Sequence, residues 1–355
     1  MTESSDSRWK AHHFFYHGDL DVALRHFVRP VIAALLAHQL IDSFFFIRYT
    51  LGGPHLRLRY RLTPDTPPAA TAEILEGEAT RFLEHWPSEV VLDPERIRQE
   101  SRAILAVVPE ESGLYYQNHS LLPFPFEPEV DRYGGRELLE SSLDFFAISS
   151  AQTLEMVRGA SWGAIGRRAA TVLRLLLRQA RGFAATEEEF LSHLGYRLPM
   201  DPEICDQIWR KADGDFEARQ EIYRNLLKHE LSILAEADTT TQDPTWTDPA
   251  FLYQAAKRLS RVVRGAAPAT RWQIGHSQLH MTANRLGFFP IQEMHLQRIL
   301  WRAAHDLKEA EPATWRQVMI ASRDRQGVPR WSLRQLLEPM IDDLRKSNCT
   351  SNAET

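Results

Sequence analysis

Cysteine is nearly missing: two in 355 residues, Cys205 and Cys349, far apart and the second in a polar tail. That spacing offers neither a zinc pattern nor a disulfide framework, and it predicts a reducing, cytoplasmic setting. Lysine is scarce too. Only six of the 42 basic residues are lysine, so a lone arginine means little in this chain while a row of them means more. No run approaches the ~20 apolar residues that cross a bilayer, which predicts no membrane span. The opening "MTESSDSRWK" lacks the apolar core of a signal peptide. Nucleotide, zinc-protease and thiol-redox motifs (the P-loop, GxGxxG, HExxH, CxxC) do not occur. The net charge of −5 gives no general reason to expect nucleic acid. With 43% apolar and 25% charged residues, the chain has the make-up of a globular protein with a substantial core.

What is present is order along the chain. "HHFFYHG" reads as a short aromatic strand, and "LDVALRHFVRPVIAALLAHQL" as a helix capped by Asp19 and kinked or split at Pro30. "FFFIRYTLGGPHLRLRYRL" reads as a hairpin turning at Gly52-Gly53. A second helix, "AATAEILEGEATRFLEHW", then a short strand, "SEVVL", complete the series strand, helix, hairpin, helix, strand. That is the ferredoxin-like split βαβ order. From "RELLESSLDFFAISSAQTLEMV" onward the periodicity is helical, including "DFEARQEIYRNLLKHELSIL" and two helices parted at Gly287 to Pro290. The predicted class is therefore α+β, a mixed or antiparallel sheet in the first half and a mostly helical second half. One unit is expected over 9–290, with halves at 9–135 and 136–290. A helical extension over 291–346 and a disordered tail over 347–355 follow.

Four groups of residues stand out. In the second hairpin strand His55, Arg57, Arg59 and Arg61 share one face, and Leu56, Leu58, Tyr60 and Leu62 the other. The leucine face is core; the arginine face is either wet, as one side of an antiparallel sheet often is, or an oxyanion or carboxylate site. "FEPEVDRYGG" sets Glu129, Arg132 and Tyr133 before two glycines, as a ligand approach or an ordinary strand end. "GHSQLHMTANRLG" puts His276, Ser277 and His280 on one helix face, with Asn284 a turn further on. Such a face suits proton transfer and carbonyl orientation, and it offers a metal no evident third ligand. "GLYYQNHS" carries Tyr116 in what is otherwise a polar loop.

Taken together, "FFFIRY…GGPHLRLR", "FEPEVDRYGG" and "LHMTANRLG" resemble the small C-terminal domain of lantibiotic dehydratases and the stand-alone thiopeptide-biosynthesis proteins related to it, from about residue 9 to 290. The resemblance implies one of two activities. Dehydratase domains eliminate glutamate from glutamylated Ser or Thr, leaving dehydroalanine or dehydrobutyrine. Stand-alone relatives join two dehydroalanines in a formal aza-[4+2] cycloaddition, then expel water and the leader peptide to give a pyridine. By motif position the family's catalytic arginines and histidine match Arg57, Arg59 and His280, with Tyr133 and Ser277 as further candidates. Substrate contacts are expected from His55, Tyr116, Glu129, Arg132, Asn284 and Arg285. The family's Arg-Glu before the RYGG motif is Pro128-Glu129 here, which weakens the elimination alternative. The free-standing form and the length beyond the last motif favour the pyridine synthase. A non-catalytic peptide-binding module is the third possibility. The resemblance implies no cofactor and no metal. The implied partners are a leader-bearing, dehydrated, azole-containing precursor peptide and other enzymes of the pathway. The arginine strand and the histidine helix are expected to line a common cavity.

Overall fold

A computed structural model describes residues 8–105, 115–163, 165–239 and 248–320, together with 338 and 342. The expected disordered tail, most of the last helix and most of the linker after residue 239 lie outside these. The chain divides into two compact units. Of the described residues, a sheet unit holds those up to Pro128, Phe146–Ala160, 338 and 342; a helical unit holds Glu129–Phe145 and those from Ser161 to 320.

In the sheet unit β1 (Trp9–Phe15), β2 (Ile41–Tyr49), β3 (His55–Leu62) and β4 (Ser120–Phe124) form an antiparallel sheet in the order β2-β3-β1-β4. This is the ferredoxin-like order that the split βαβ series predicts. Between β1 and β2 the chain runs through α1 (Leu20–Ala23), a π-helical turn (Leu24–Val28) and α2 (Arg29–Ala37). The π turn is how the helix absorbs Pro30. Proline removes one N–H and crowds the carbonyl four residues back, so the preceding turn widens and the Arg29 N–H reaches back to the Leu24 carbonyl. α3 (Pro68–His85) and α4 (Pro94–Leu105) precede β4.

The leucine face of β3 is core: Leu56, Leu58, Tyr60 and Leu62 are all buried. Beside it Phe14 packs on Phe27 and on Phe82 of α3, at ring separations of 4.4 and 5.7 Å. The strand expected at "SEVVL" is not one. That stretch is irregular and Val91 is 93% exposed. The fourth strand is Ser120–Phe124, whose Pro123 argues against a strand yet is tolerated because β4 pairs only with β1, at the sheet edge.

The helical unit contains α6 (Ile165–Phe183), α7 (Glu187–Leu194), α8 (Pro202–Glu217), α9 (Gln220–Ala237), α10 (Phe251–Val262), α11 (Pro268–Arg285), α12 (Pro290–Ala310) and α13 (Pro312–Ile320). α5 (Arg136–Arg158) contributes to both units, its residues up to Phe145 to this one. The core follows helical spacing, with Val172, Leu173, Leu176, Leu177 and Ala180 of α6 and Leu296, Ile299, Leu300, Ala303, Ala304 and Leu307 of α12 buried. The helix expected from Asp215 is two helices that break at Ala218-Arg219. α8 starts at Pro202, where Asp201 caps it by accepting from the Glu203 N–H. Among the described residues no helix is long and apolar enough to cross a membrane.

Candidate active site

In the helical unit, two of the sequence motifs come together. The FEPEVDRYGG segment ends in a tight turn in which Gly134 and Gly135 have φ of 75° and 101°, a conformation that side chains resist. The Gly135 N–H donates to the Val130 carbonyl, and the Arg132 guanidinium pairs with Glu129 at 3.0 Å. This turn sends Tyr133 inward. Its hydroxyl lies 2.7 Å from Ser277 Oγ on α11, and both residues are buried. Burial pushes the Tyr133 phenol above its ordinary range, against the opposing effects of Ser277 and of the nearby Arg132 and Arg285. At neutral pH this phenol therefore keeps its proton.

His276, one residue before Ser277, lies against two aromatic rings. Tyr196 lies 3.8 Å away by ring centroids, and Trp272, 4.9 Å away, is parallel to within 6°. His276 Nδ1 has no hydrogen-bond partner among the described residues. Burial lowers this imidazole to about 3, helped by His193, His280 and Arg132, so it is neutral at physiological pH and acts as a ring rather than a cation. An open cavity of about 690 Å³ lies here, lined by Asp131, Arg132, Tyr196, Trp272, His276 and Ser277 among others.

One turn further along α11, His280 Nδ1 lies 2.7 Å from Glu293 Oε2. Glu293 is 3% exposed and sits in the first turn of α12, where the helix dipole favours an anion. Its second oxygen accepts from Gln297 Nε2 at 3.0 Å. A buried carboxylate held on one side and facing a histidine on the other fixes the imidazole as the Nδ1–H form. Nε2 is then left to accept or return a proton. Sequence reasoning missed Glu293, which reads as an ordinary acidic residue in the first turn of a helix. It also missed Tyr196 and Trp272, which carry no motif. Asn284 is half-buried a turn beyond His280, and Arg285 is fully buried. Among the described residues no cluster of three or more His, Cys, Asp or Glu could hold a metal ion.

The arginine strand belongs to the sheet unit. The wet-face expectation fails at its start: His55 and Arg57 are only 1% and 7% exposed. Arg57 lies flat on Tyr49, 3.6 Å from its centroid, and donates from Nε to His55 Nε2 at 3.2 Å. His55 in turn donates from Nδ1 to the Gly53 carbonyl at 2.8 Å. Burial drives His55 down to about 3 and lowers the neighbouring His13 as well, so the arginines supply the positive charge here. Arg59 stands 5.5 Å from the Phe45 ring, and Arg61 is paired with Asp42 at 2.6 Å. Tyr116 stacks on Phe15 at 4.4 Å, and its N–H donates to the Gly52 carbonyl in the hairpin turn.

Buried neutral histidines make stability depend on pH. His276 and His193 are lowered by burial to about 3 and about 4, whereas the unfolded chain protonates near 6.5. Below 6.5 the unfolded state takes up protons that the folded state refuses, so stability falls as pH falls. The limit is about 1.4 kcal/mol per pH unit for each histidine. Urea midpoints should drop from pH 7 to 5, and His276→Asn should flatten that slope whatever it does to the value at pH 7.

A wound α+β chain with these motifs matches a family profile. Residues 9–304 match the family described as lantibiotic biosynthesis dehydratase C-term, and the chain belongs to that family. Among solved structures it is similar to the pyridine synthase TbtD from thiomuracin biosynthesis, with a TM-score of 0.66 and 18% identity, covering 85% of this chain and 99% of that one. It is also similar to TsrL, at TM-score 0.57 and 16% identity over 90% of this chain and 99% of the other. The tRNA-dependent lantibiotic dehydratase MibB from Microbispora sp. 107891 matches at TM-score 0.56 and 20% identity over 88% of this chain, which spans 29% of MibB. No curated protein sequence matches.

Proposed function

We propose that the protein forms the pyridine of a thiopeptide macrocycle, acting on a leader-bearing precursor peptide that contains two dehydroalanines and azoles. The observation that carries this proposal is the grouping, in one unit, of the Tyr133–Ser277 and His280–Glu293 pairs with an aromatic-lined cavity. A cycloaddition needs two alkenes held face to face, and well-oriented partners can gain on the order of 7–11 kcal/mol from positioning alone. The cavity walls of Trp272, Tyr196 and His276 supply flat surfaces for that. One dehydroalanine must react as the imidic acid tautomer of its amide. A donor on the carbonyl oxygen favours that tautomer, the role we give Ser277; the family resemblance gives Arg57 and Arg59 a part in catalysis.

Aromatisation follows. A proton leaves the ring carbon as hydroxide departs as water, and a second leaves as the leader departs as its carboxamide. His280 Nε2 takes a ring proton while Tyr133, whose proton burial retains, gives one to the leaving group. These steps call for no cofactor.

Glutamate elimination is the second proposal, favoured by the family itself and by the arginines at 57 and 59. Against it, Pro128 replaces an arginine of the elimination pattern, and Glu129 is engaged with Arg132. The test incubates purified protein with a leader-bearing peptide holding two dehydroalanines, and in parallel with a glutamylated peptide. Loss of water and leader from the first supports pyridine formation. Glutamate release from the second identifies an elimination enzyme, and binding without either product identifies a peptide-binding module. Arg57→Lys should lower turnover about tenfold or more with little change in KM, because an ammonium cannot stack flat on Tyr49 while donating along the strand.

A further inference from the structure

Tyr196 reaches the candidate active site from the segment that follows α7. That helix ends at Gly195, where a Cβ would stand 3.0 Å from the Trp301 ring of α12, so a side chain at 195 would crowd the chain away from α12. Tyr196 itself is held by rings. His276 lies 3.8 Å from its ring and Trp272 5.6 Å, and Trp272 is fixed in turn by donating from Nε1 to Ser192 Oγ at 2.7 Å. A side chain packed this way has little rotamer freedom left to lose when a ligand arrives.

The hydroxyl at its end is unused. It has no hydrogen-bond partner among the described residues and is open to solvent, and Tyr196 lines the cavity of about 690 Å³ together with His276 and Ser277. Tyr133 differs, since its hydroxyl lies 2.7 Å from Ser277 Oγ. Burial raises the Tyr196 phenol above its ordinary range, Glu293 adds to that and Arg132 opposes it, so the group keeps its proton at neutral pH. A protonated phenol at a cavity wall, with no acceptor from the protein, is a donor available to a ligand.

The proposed reaction has a role for such a donor. Ser277 is assigned to the amide that reacts as its imidic acid, the electron-rich partner. The other dehydroalanine is the electron-poor partner. Its alkene is conjugated with the carbonyl that follows it, or with an azole in place of that carbonyl, and either presents a lone pair on a conjugated oxygen or nitrogen. A donor on that atom draws electron density out of the alkene, and the hydrogen bond strengthens as the new bonds form. We propose that Tyr196 is this donor, a catalytic residue that activates the second alkene; the proposal rests on the pyridine-forming reading above. The phenol gives a hydrogen bond and keeps its hydrogen throughout, so the step needs no further reactant.

The test is Tyr196→Phe, assayed with the leader-bearing peptide that holds two dehydroalanines. Turnover should fall about tenfold, short of the roughly 10²–10³ typical of a lost donor to a full oxyanion, because this acceptor gains only part of a charge. KM and the melting temperature should not change, since the lost hydroxyl has no partner in the protein. Peptides with a thiazole and with an unmodified carbonyl after the second alkene are assayed separately, and the one whose turnover falls identifies the accepting atom. In protein carrying 3-fluorotyrosine at 196, the fluorine NMR signal should shift on adding a peptide with alanine in place of the other dehydroalanine, which cannot close the ring. Unchanged turnover of both peptides, a fall matched by a lower melting temperature, or an unmoved fluorine signal would overturn the proposal. Absence of pyridine from the unaltered protein would count against the proposed reaction instead, and the fluorine titration would still decide whether this phenol meets the peptide.

Discussion

Replacing Glu293 by Gln should lower turnover about a hundredfold, with KM nearly unchanged. The carboxylate faces His280 Nδ1 at 2.7 Å and is itself held by Gln297. An amide in its place can turn its NH2 toward the ring, which stabilises the opposite tautomer and puts the proton on the nitrogen that must accept one. Positioned acid–base groups are typically worth ~10²–10⁴-fold, and a wrong tautomer forfeits most of that. Glu293 touches no substrate in this account, so its effect must pass through His280. His280→Ala should cost at least as much, and the double variant should be no worse than His280→Ala alone, because groups that act as a unit are not additive. A merely structural Glu293 would instead add its loss to that of His280. Steady-state kinetics of the three variants separate the cases.

Tyr133→Phe should have the second large effect, a fall in turnover of about a hundredfold. The change removes one oxygen, 2.7 Å from Ser277 Oγ, and leaves the ring in place. Stability should fall by only about 1–2 kcal/mol, the usual cost of a buried hydroxyl left without its partner. The loss should fall on the later steps, because the phenol is assigned to proton delivery during expulsion of the leaving groups. The cyclic adduct, equal in mass to the linear substrate, should then accumulate. Tandem mass spectrometry distinguishes the two, since a closed ring resists the backbone cleavages that sequence the linear peptide. Accumulation of unreacted linear peptide instead would move Tyr133 to the cyclisation step.

The sheet and the histidine helix were legible because their signals are local. Alternation at period two gave β3 its two faces, and Gly52-Gly53 marked the turn. Spacing of three and four put His276, Ser277 and His280 on one side of α11. Two kinds of feature stayed hidden. One is burial: periodicity marks which residues share a face but not what covers it, so Arg57 and His55 on a buried face looked the same as a wet strand. The other is long-range partnership. Glu293 reaches His280 across the break at Gly287 to Pro290, and Tyr196 reaches His276 from a segment with no motif of its own. β4 was misplaced for a local reason, because valines at 90 and 91 outweigh Ser120–Phe124 in strand propensity although only the latter finds a partner strand.

The most direct test is the chemical identity of the leader end released in a single turnover. If the chain builds a pyridine from two dehydroalanines, the nitrogen of the more N-terminal one leaves with the leader. High-resolution mass spectrometry should then find a leader ending in a carboxamide, matched one for one by a dehydrated macrocycle. A leader ending in a free carboxylate, or a leader still attached beside liberated glutamate, would contradict the account.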